Sequence, residues 1–262
     1  MNPDPASERA PLPRALARPA RGRVLLLAPH ADDDVLGAGG TCALHVAQGD
    51  PVHVIVAYDG LEGDPERRFA HEDLCARRQR EARAGGAHLG LSSYEFLRYP
   101  EGHVPAAHEL AEAARKLAAR VRELAVDTLY CPWVGEHHVD HHVLARATRL
   151  ALALAEFRGA AWGYEVWTPL VPTVVVDVTQ VHARKVAALK EHASQLAYVD
   201  ILHMGLALSA QRAIYLSKEA RYGEAFAPLG EPYGADRELA GLPPAAEGPR
   251  GSGARTDARA GE

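Results

Sequence analysis

Apolar and polar residues alternate in blocks along most of this chain. Short apolar runs bounded by Gly, Pro and Asp predict buried strands at 24–28, 52–57, 94–97, 127–131, 163–167 and 173–178. Between them, longer segments repeat their apolar positions every three or four residues. These predict helices at 36–48, 65–89, 106–124, 141–157 and 181–192. Gly49 is a stop signal for the first helix, Gly85 and Gly86 weaken the end of the second, and Pro132 closes the fourth strand. Strands that alternate with helices in this way predict an α/β domain with a mostly parallel sheet and helices on both faces. Residues 1–22 are rich in Pro, Ala and Arg, and 229–262 in Gly, Pro, Ala and charge. Neither end can bury enough apolar surface to offset chain entropy, so both are expected to be mobile tails around one folded domain at 23–228. No internal repeat is visible.

Composition narrows the class. The 262 residues are 47% hydrophobic, which suffices for a sizeable core. A formal net charge of -5 offers no basic field to nucleic acid. Cys42, Cys75 and Cys131 are scattered and odd in number, so a disulfide framework is not expected and a reducing compartment fits. The first twenty residues contain no apolar leader core, and no apolar run is long enough to span a bilayer. A cytoplasmic protein with no membrane partner is the expectation.

The candidate chemistry lies where two strands end. The run Leu25-Leu26-Leu27-Ala28-Pro29 stops at His30, followed after Ala31 by Asp32, Asp33 and Asp34. Open α/β sheets bind ligands at the carboxyl ends of their strands. Imidazole with carboxylate is the ligand chemistry of a hydrolytic zinc site. If the chain stays extended, His30 and Asp32 share a side; if it is already turning, His30 and Asp33 converge. Asp34 also suits the start of a helix, where the dipole favours acids. A second cluster, His137-His138-Val139-Asp140-His141-His142, follows another strand, and its His138, His141 and His142 would share a helix face. Gly37-Ala38-Gly39-Gly40 lacks the Lys-Ser/Thr of a phosphate loop and reads as close helix–sheet packing. No G-x-S-x-G nucleophile motif occurs. Two histidines and a carboxylate also describe a non-haem iron(II) oxygenase, but that reading leaves Asp32 without a task. A metal-dependent binding protein on the same fold is the other alternative.

The stretch from Ala28 to Asp34, continued by Leu36-Gly37-Ala38-Gly39-Gly40-Thr41, resembles the His-Pro-Asp-Asp-Glu signature of the PIG-L/LmbE-like N-deacetylases. His138-Val139-Asp140-His141 is similar to their His-Pro-Asp-His motif. Arg78 with Glu81, Leu89-Gly90, Tyr164-Glu165-Val166-Trp167, Asp177, Lys185, Ser194-Gln195 and Glu224-Ala225-Phe226 follow in the family's order. Ala31 stands where the family has Pro, Asp34 where it has Glu, and Glu136 where some relatives have Tyr. The resemblance implies a Rossmann-like three-layer domain and one zinc ion per chain, with Fe2+ or another divalent ion as substitutes. It implies hydrolysis of the N-acetyl or N-acyl group of a small amino-sugar conjugate, or, as a variant, amidase action on a thiol conjugate or other small amide. Carried over by motif, His30, Asp33 and His141 are the metal ligands and Asp32 is the general base. A protonated His138 faces the scissile carbonyl, with Asp140 orienting it and favouring its charged form. Arg78, Glu101 and Glu136 are the candidates for contact with substrate.

Overall fold

The five residues Val24–Ala28 are all buried, so their strand has to lie inside a sheet with both faces covered. The computed structural model, which describes residues 11–242 except 72, 92, 233 and 240, places that strand near the middle of an eight-stranded sheet. In chain order the strands are β1 (Arg14–Leu16), β2 (Val24–Ala28), β3 (Val52–Tyr58), β4 (Ser93–Tyr99), β5 (Thr128–Pro132), β6 (Ala160–Tyr164), β7 (Val174–Asp177) and β8 (Gly223–Pro228). In space they run β1-β7-β8-β6-β5-β2-β3-β4. Every pairing is parallel except those of β8, which is antiparallel to both β6 and β7.

Eight α-helices flank the sheet among the described residues: α1 (Asp33–Ala47), α2 (Leu74–Leu89), α3 (Ala107–Glu123), α4 (Val139–Leu154), α5 (His182–Lys190), α6 (Ala193–Leu196), α7 (Ile201–Arg212) and α8 (Gly234–Leu239). The two-residue period of the strands divides the core. Leu26, Val54 and Val56 face α1, α2 and α5, while Leu25, Leu27 and Ile55 face α3 and α4. The result is the three-layer α/β fold expected. No helix of the described residues is long and apolar enough to cross a membrane.

The central helix α1 is buried almost throughout and is broken at Ala38 (φ −142°, ψ 16°). The break frees backbone groups on both sides, and two buried side chains take them up. Glu224 of β8 accepts the amides of Gly40 and Thr41 at 2.8 and 2.7 Å. Lys185 of α5 donates to the Leu36 carbonyl at 2.8 Å and to Glu224 at 2.7 Å. Glycine is required beside the break: a Cβ on Gly37 would lie 2.0 Å from the Tyr164 ring, and one on Gly40 2.7 Å from Val178. This is the close packing expected of the glycine run.

Several boundaries differ from expectation. The second helix starts at Leu74, not 65. Asp64 accepts the amides of Arg68 and Phe69 in a turn, and Asp73 caps the helix by accepting from Ala76 at 3.0 Å. The sixth strand covers Ala160–Tyr164 rather than 163–167, because Glu165 leaves the sheet to pair with Arg212. The segment expected to be an N-terminal tail includes β1, whose Arg14, Ala15 and Leu16 pair with Val174, Val175 and Val176. At the other end Leu229 is buried and Asp236 of α8 pairs with Arg146 at 2.6 Å, so ordered packing continues past 228. Residues 1–10 and 243–262 of the expected tails lie outside the described residues.

Candidate active site

The chain leaves β2 at Ala28, continues through α1 to β3 on one side, and later returns in β5 on the other side of β2. At such a switch of direction the connections part and leave a crevice at the carboxyl ends of the strands. His30, Asp32 and Asp33 enter it from the β2–α1 turn; Glu136, His138, Asp140 and His141 enter from the β5–α4 turn. The three imidazoles of His30, His138 and His141 form a triangle with ring centroids 5.0–5.4 Å apart.

Asp33 sits between two of them. Its Oδ2 accepts from the His30 amide at 2.9 Å and lies 3.1 Å from His30 Nδ1 and 3.1 Å from His141 Nε2. Burial opposes the charge of Asp33, yet the adjacent His141 and His30 hold its carboxyl well below the usual range. The other nitrogen of His30, Nε2, is 3.0 Å from Asp140 Oδ2 and 3.4 Å from Glu101 Oε1. Burial alone would lower the His30 pKa, but hydrogen bonds to Asp140 and Asp33 outweigh it and raise it to about 10. His141 is fully buried; its Nε2 lies 3.1 Å from Asp33 Oδ2 and its Nδ1 3.6 Å from Glu136 Oε2, but neither contact has aligned hydrogen-bond geometry.

One ligand atom each from His30, Asp33 and His141 lie within 4.8 Å of one another; His30, Glu101, His138 and Asp140 form a second such group. Two imidazoles and a carboxylate suit a zinc-like cation, and a buried imidazole whose nitrogens face carboxylates without aligned hydrogen bonds is costly unless something binds it. The donor set therefore fits a divalent metal.

The remaining candidates fall in three places. Asp32 is buried at the mouth of α1, and Arg78 of α2 donates to its Oδ1 at 3.4 Å and to the Gly60 carbonyl at 3.0 Å. Arg78 thus contacts Asp32, where a substrate contact was expected. Glu101 stands beside His30 and accepts the Glu62 amide at 2.9 Å. Glu136, also expected at substrate, is buried behind the cluster: it accepts the Val166 amide at 2.7 Å, and its other oxygen is 3.6 Å from His141 Nδ1. Burial raises its pKa above the ordinary carboxyl value.

His138 differs from expectation in charge and in partner. It is the N-cap of α4, and its Nδ1 accepts the backbone N–H of Asp140 at 3.3 Å. The carboxylate of Asp140 turns to His30 and to the Gly102 amide instead. Burial, then the neighbouring His30 and His141, lower the His138 pKa below its usual 6.5; Asp140 pulls the other way but less. The lowered pKa favours the neutral form, and with Nδ1 accepting from the Asp140 amide, Nε2 is the ring's donor. Asp34 accepts from Tyr94 Oη at 2.7 Å, away from the cluster, and burial raises it to about 6. Tyr58, at the end of β3, was not singled out in the sequence, yet its ring is 5.8 Å from that of His30. Its position at the same strand edge was the available signal.

Comparison with known proteins adds a family. Residues 25–152 match the PIG-L family, described as GlcNAc-PI de-N-acetylase. A 1D-myo-inositol 2-acetamido-2-deoxy-alpha-D-glucopyranoside deacetylase of Mycobacterium sp. (strain KMS) is 30% identical over 229 residues, covering 66% of this chain and 74% of that protein. A diacetylchitobiose deacetylase of Thermococcus kodakarensis is 24% identical, covering 66% of this chain and 70% of that one. Among solved structures, N,N'-diacetylchitobiose deacetylase from Pyrococcus horikoshii superposes with a TM-score of 0.67 at 23% identity, over 78% of this chain and 82% of the other. That last likeness shows the shared fold.

Proposed function

This chain belongs to the PIG-L family of de-N-acetylases and is an amide hydrolase, and from that premise we propose that it removes the N-acetyl group of a small amino-sugar conjugate, using a zinc-like ion held by His30, Asp33 and His141. The observation that carries the proposal is the buried His30–Asp33–His141 cluster with Asp32 beside it at the carboxyl edge of β2. Relatives that deacetylate an inositol glycoside of N-acetylglucosamine and diacetylchitobiose support an amino sugar as substrate.

When bound, the ion supplies positive charge for the carbonyl oxygen and a water with a pKa of about 7. The rest is done by side chains. Asp32 accepts the proton of the attacking water. Arg78 holds Asp32 Oδ1, which leaves the other carboxylate oxygen for that task. His138, neutral with its proton on Nε2, donates a hydrogen bond to the carbonyl oxygen as negative charge develops there, an effect of about 3 kcal/mol by the usual measure of such donors. Asp32 then returns its proton to the departing nitrogen. The products are acetate and a free amine.

The test separates holding the ion from moving the proton. His30→Ala should lose the metal by elemental analysis. Asp32→Asn should retain it and bind substrate, while acetate release from N-acetylglucosamine conjugates falls about 100-fold or more. Near-native turnover by metal-replete Asp32→Asn would overturn the role of Asp32.

A further inference from the structure

Some large apolar side chains are left exposed in loops that follow the parallel strands. Of the seven such residues among those described, four lie in loops that leave the carboxyl ends of parallel strands: Leu61 after β3, Val104 after β4, and Trp167 and Val171 after β6. Val104 is 68% exposed and Val171 83%.

The loop 99–105 that presents Val104 also roofs a cavity of about 390 Å³. That volume lies within the range of small-molecule sites, whereas packed interiors leave few voids larger than a water. Small residues line it where the helices face the sheet: Ala57 of β3, Ala113 of α3 and Ala147 of α4. Its walls are mainly apolar, with Tyr58, Tyr99, Leu117 and Val143 among them; His103, Glu109, Glu112 and Lys116 are its charged and imidazole groups. Two features tie it to the reaction centre. Tyr58 lines the cavity and also stands against His30. The roof loop itself supplies Glu101 beside His30 and the Gly102 amide to Asp140.

We propose that this cavity forms a subsite for an uncharged apolar group, an alkyl chain or aryl ring, carried by the amide substrate. The inference rests on the de-N-acylase reading above and narrows it to an amphipathic substrate. The apolar group has two possible origins, the acyl chain on nitrogen or the aglycone on the sugar, and the two are separable by experiment.

The metal-replete full-length chain is assayed on two series. One is glucosamine N-acylated with chains from acetyl to octanoyl. The other is N-acetylglucosamine carried as glycosides from methyl to octyl. In one series kcat/KM should rise about threefold per added methylene until the cavity is full, as expected for burial of CH2 groups. Ala113→Phe, which fills the cavity, should cut the ratio of longest to shortest substrate at least tenfold, and Ala113→Leu should cut it less. Calorimetric binding of the octyl members to the metal-free protein gives a readout independent of turnover, and it too should weaken in Ala113→Phe. If the acetyl and methyl compounds are hydrolysed but both series are flat, the subsite is overturned and the deacetylase reading stands. If octyl compounds bind in a manner sensitive to Ala113 and no member is hydrolysed, the subsite stands and the deacetylase reading falls. Chain-length dependence that survives unchanged in both Ala113 variants would overturn the cavity as its source.

Discussion

Behind each of the two clustered imidazoles stands a carboxylate. Asp140 is 3.0 Å from His30 Nε2, and Glu136 is 3.6 Å from His141 Nδ1. A carboxylate hydrogen-bonded to a ligand ring, as Asp140 is to His30, fixes that ring and raises its basicity, and losing it usually costs 10- to 100-fold in metal affinity. Asp140→Asn keeps an acceptor for the Gly102 amide but gives up the charge that faces His30. It should bind zinc about 10- to 100-fold more weakly than the native protein in a chelator competition, with its circular dichroism unchanged. The sequence motif shows that Asp140 and His138 are neighbours, but not which atoms meet. Residues two apart at a helix start point in different directions. The Asp140 amide therefore reaches His138 while its carboxylate reaches His30.

At the scale of the element, the break in α1 depends on Lys185 and Glu224. Glu224→Ala would strand two amides and a buried ammonium, and cutting one partner from a buried pair costs about 3–5 kcal/mol. Urea denaturation should register a loss of that size, and Glu224→Gln, which keeps an acceptor, a smaller one. The start of α5 carries a pH response. His182 is buried, stacks on Tyr222 at a centroid distance of 3.4 Å, and has no hydrogen-bond partner for either ring nitrogen among the described residues. Burial, then nearby Lys185, push its pKa down from 6.5 to about 4. The unfolded chain therefore takes up a proton there before the folded one does. Its contribution is complete above pH 6.5 and is lost as pH falls toward 4. His182→Phe keeps the stack and cannot charge, so its denaturation midpoint should drop less between pH 7 and pH 4.5 than the native protein's.

Elements were legible in proportion to their own apolar content. The runs of β2 and β3 are buried on both faces, and their residues alone announce a central strand. β1, with only Arg14, Ala15 and Leu16, and β8, with Gly223, Glu224 and Pro228, carry little such signal. Their strand character comes from neighbours far away in the chain. The same holds for the site: His30, Asp33 and His141 could be singled out by residue type and motif, whereas the burial of Glu136 and the approach of Tyr58 depend on tertiary packing.

Over the whole molecule, the candidate ligands come from the first sixty per cent of the chain, while the sheet is finished only by its last strand. β8 has to slot antiparallel between β6 and β7, two strands already made. During synthesis on a ribosome those two strands therefore wait with facing, unpaired edges, and α1 waits without Glu224. Unsatisfied edges of this kind are templates for pairing between chains. A chain terminated before Gly223 should collect in the insoluble fraction even though it contains His30, Asp33 and His141. One terminated after Leu242 should stay in solution and keep its activity. Completion of the sheet, rather than of the site, is then the last checkpoint a newborn copy must pass.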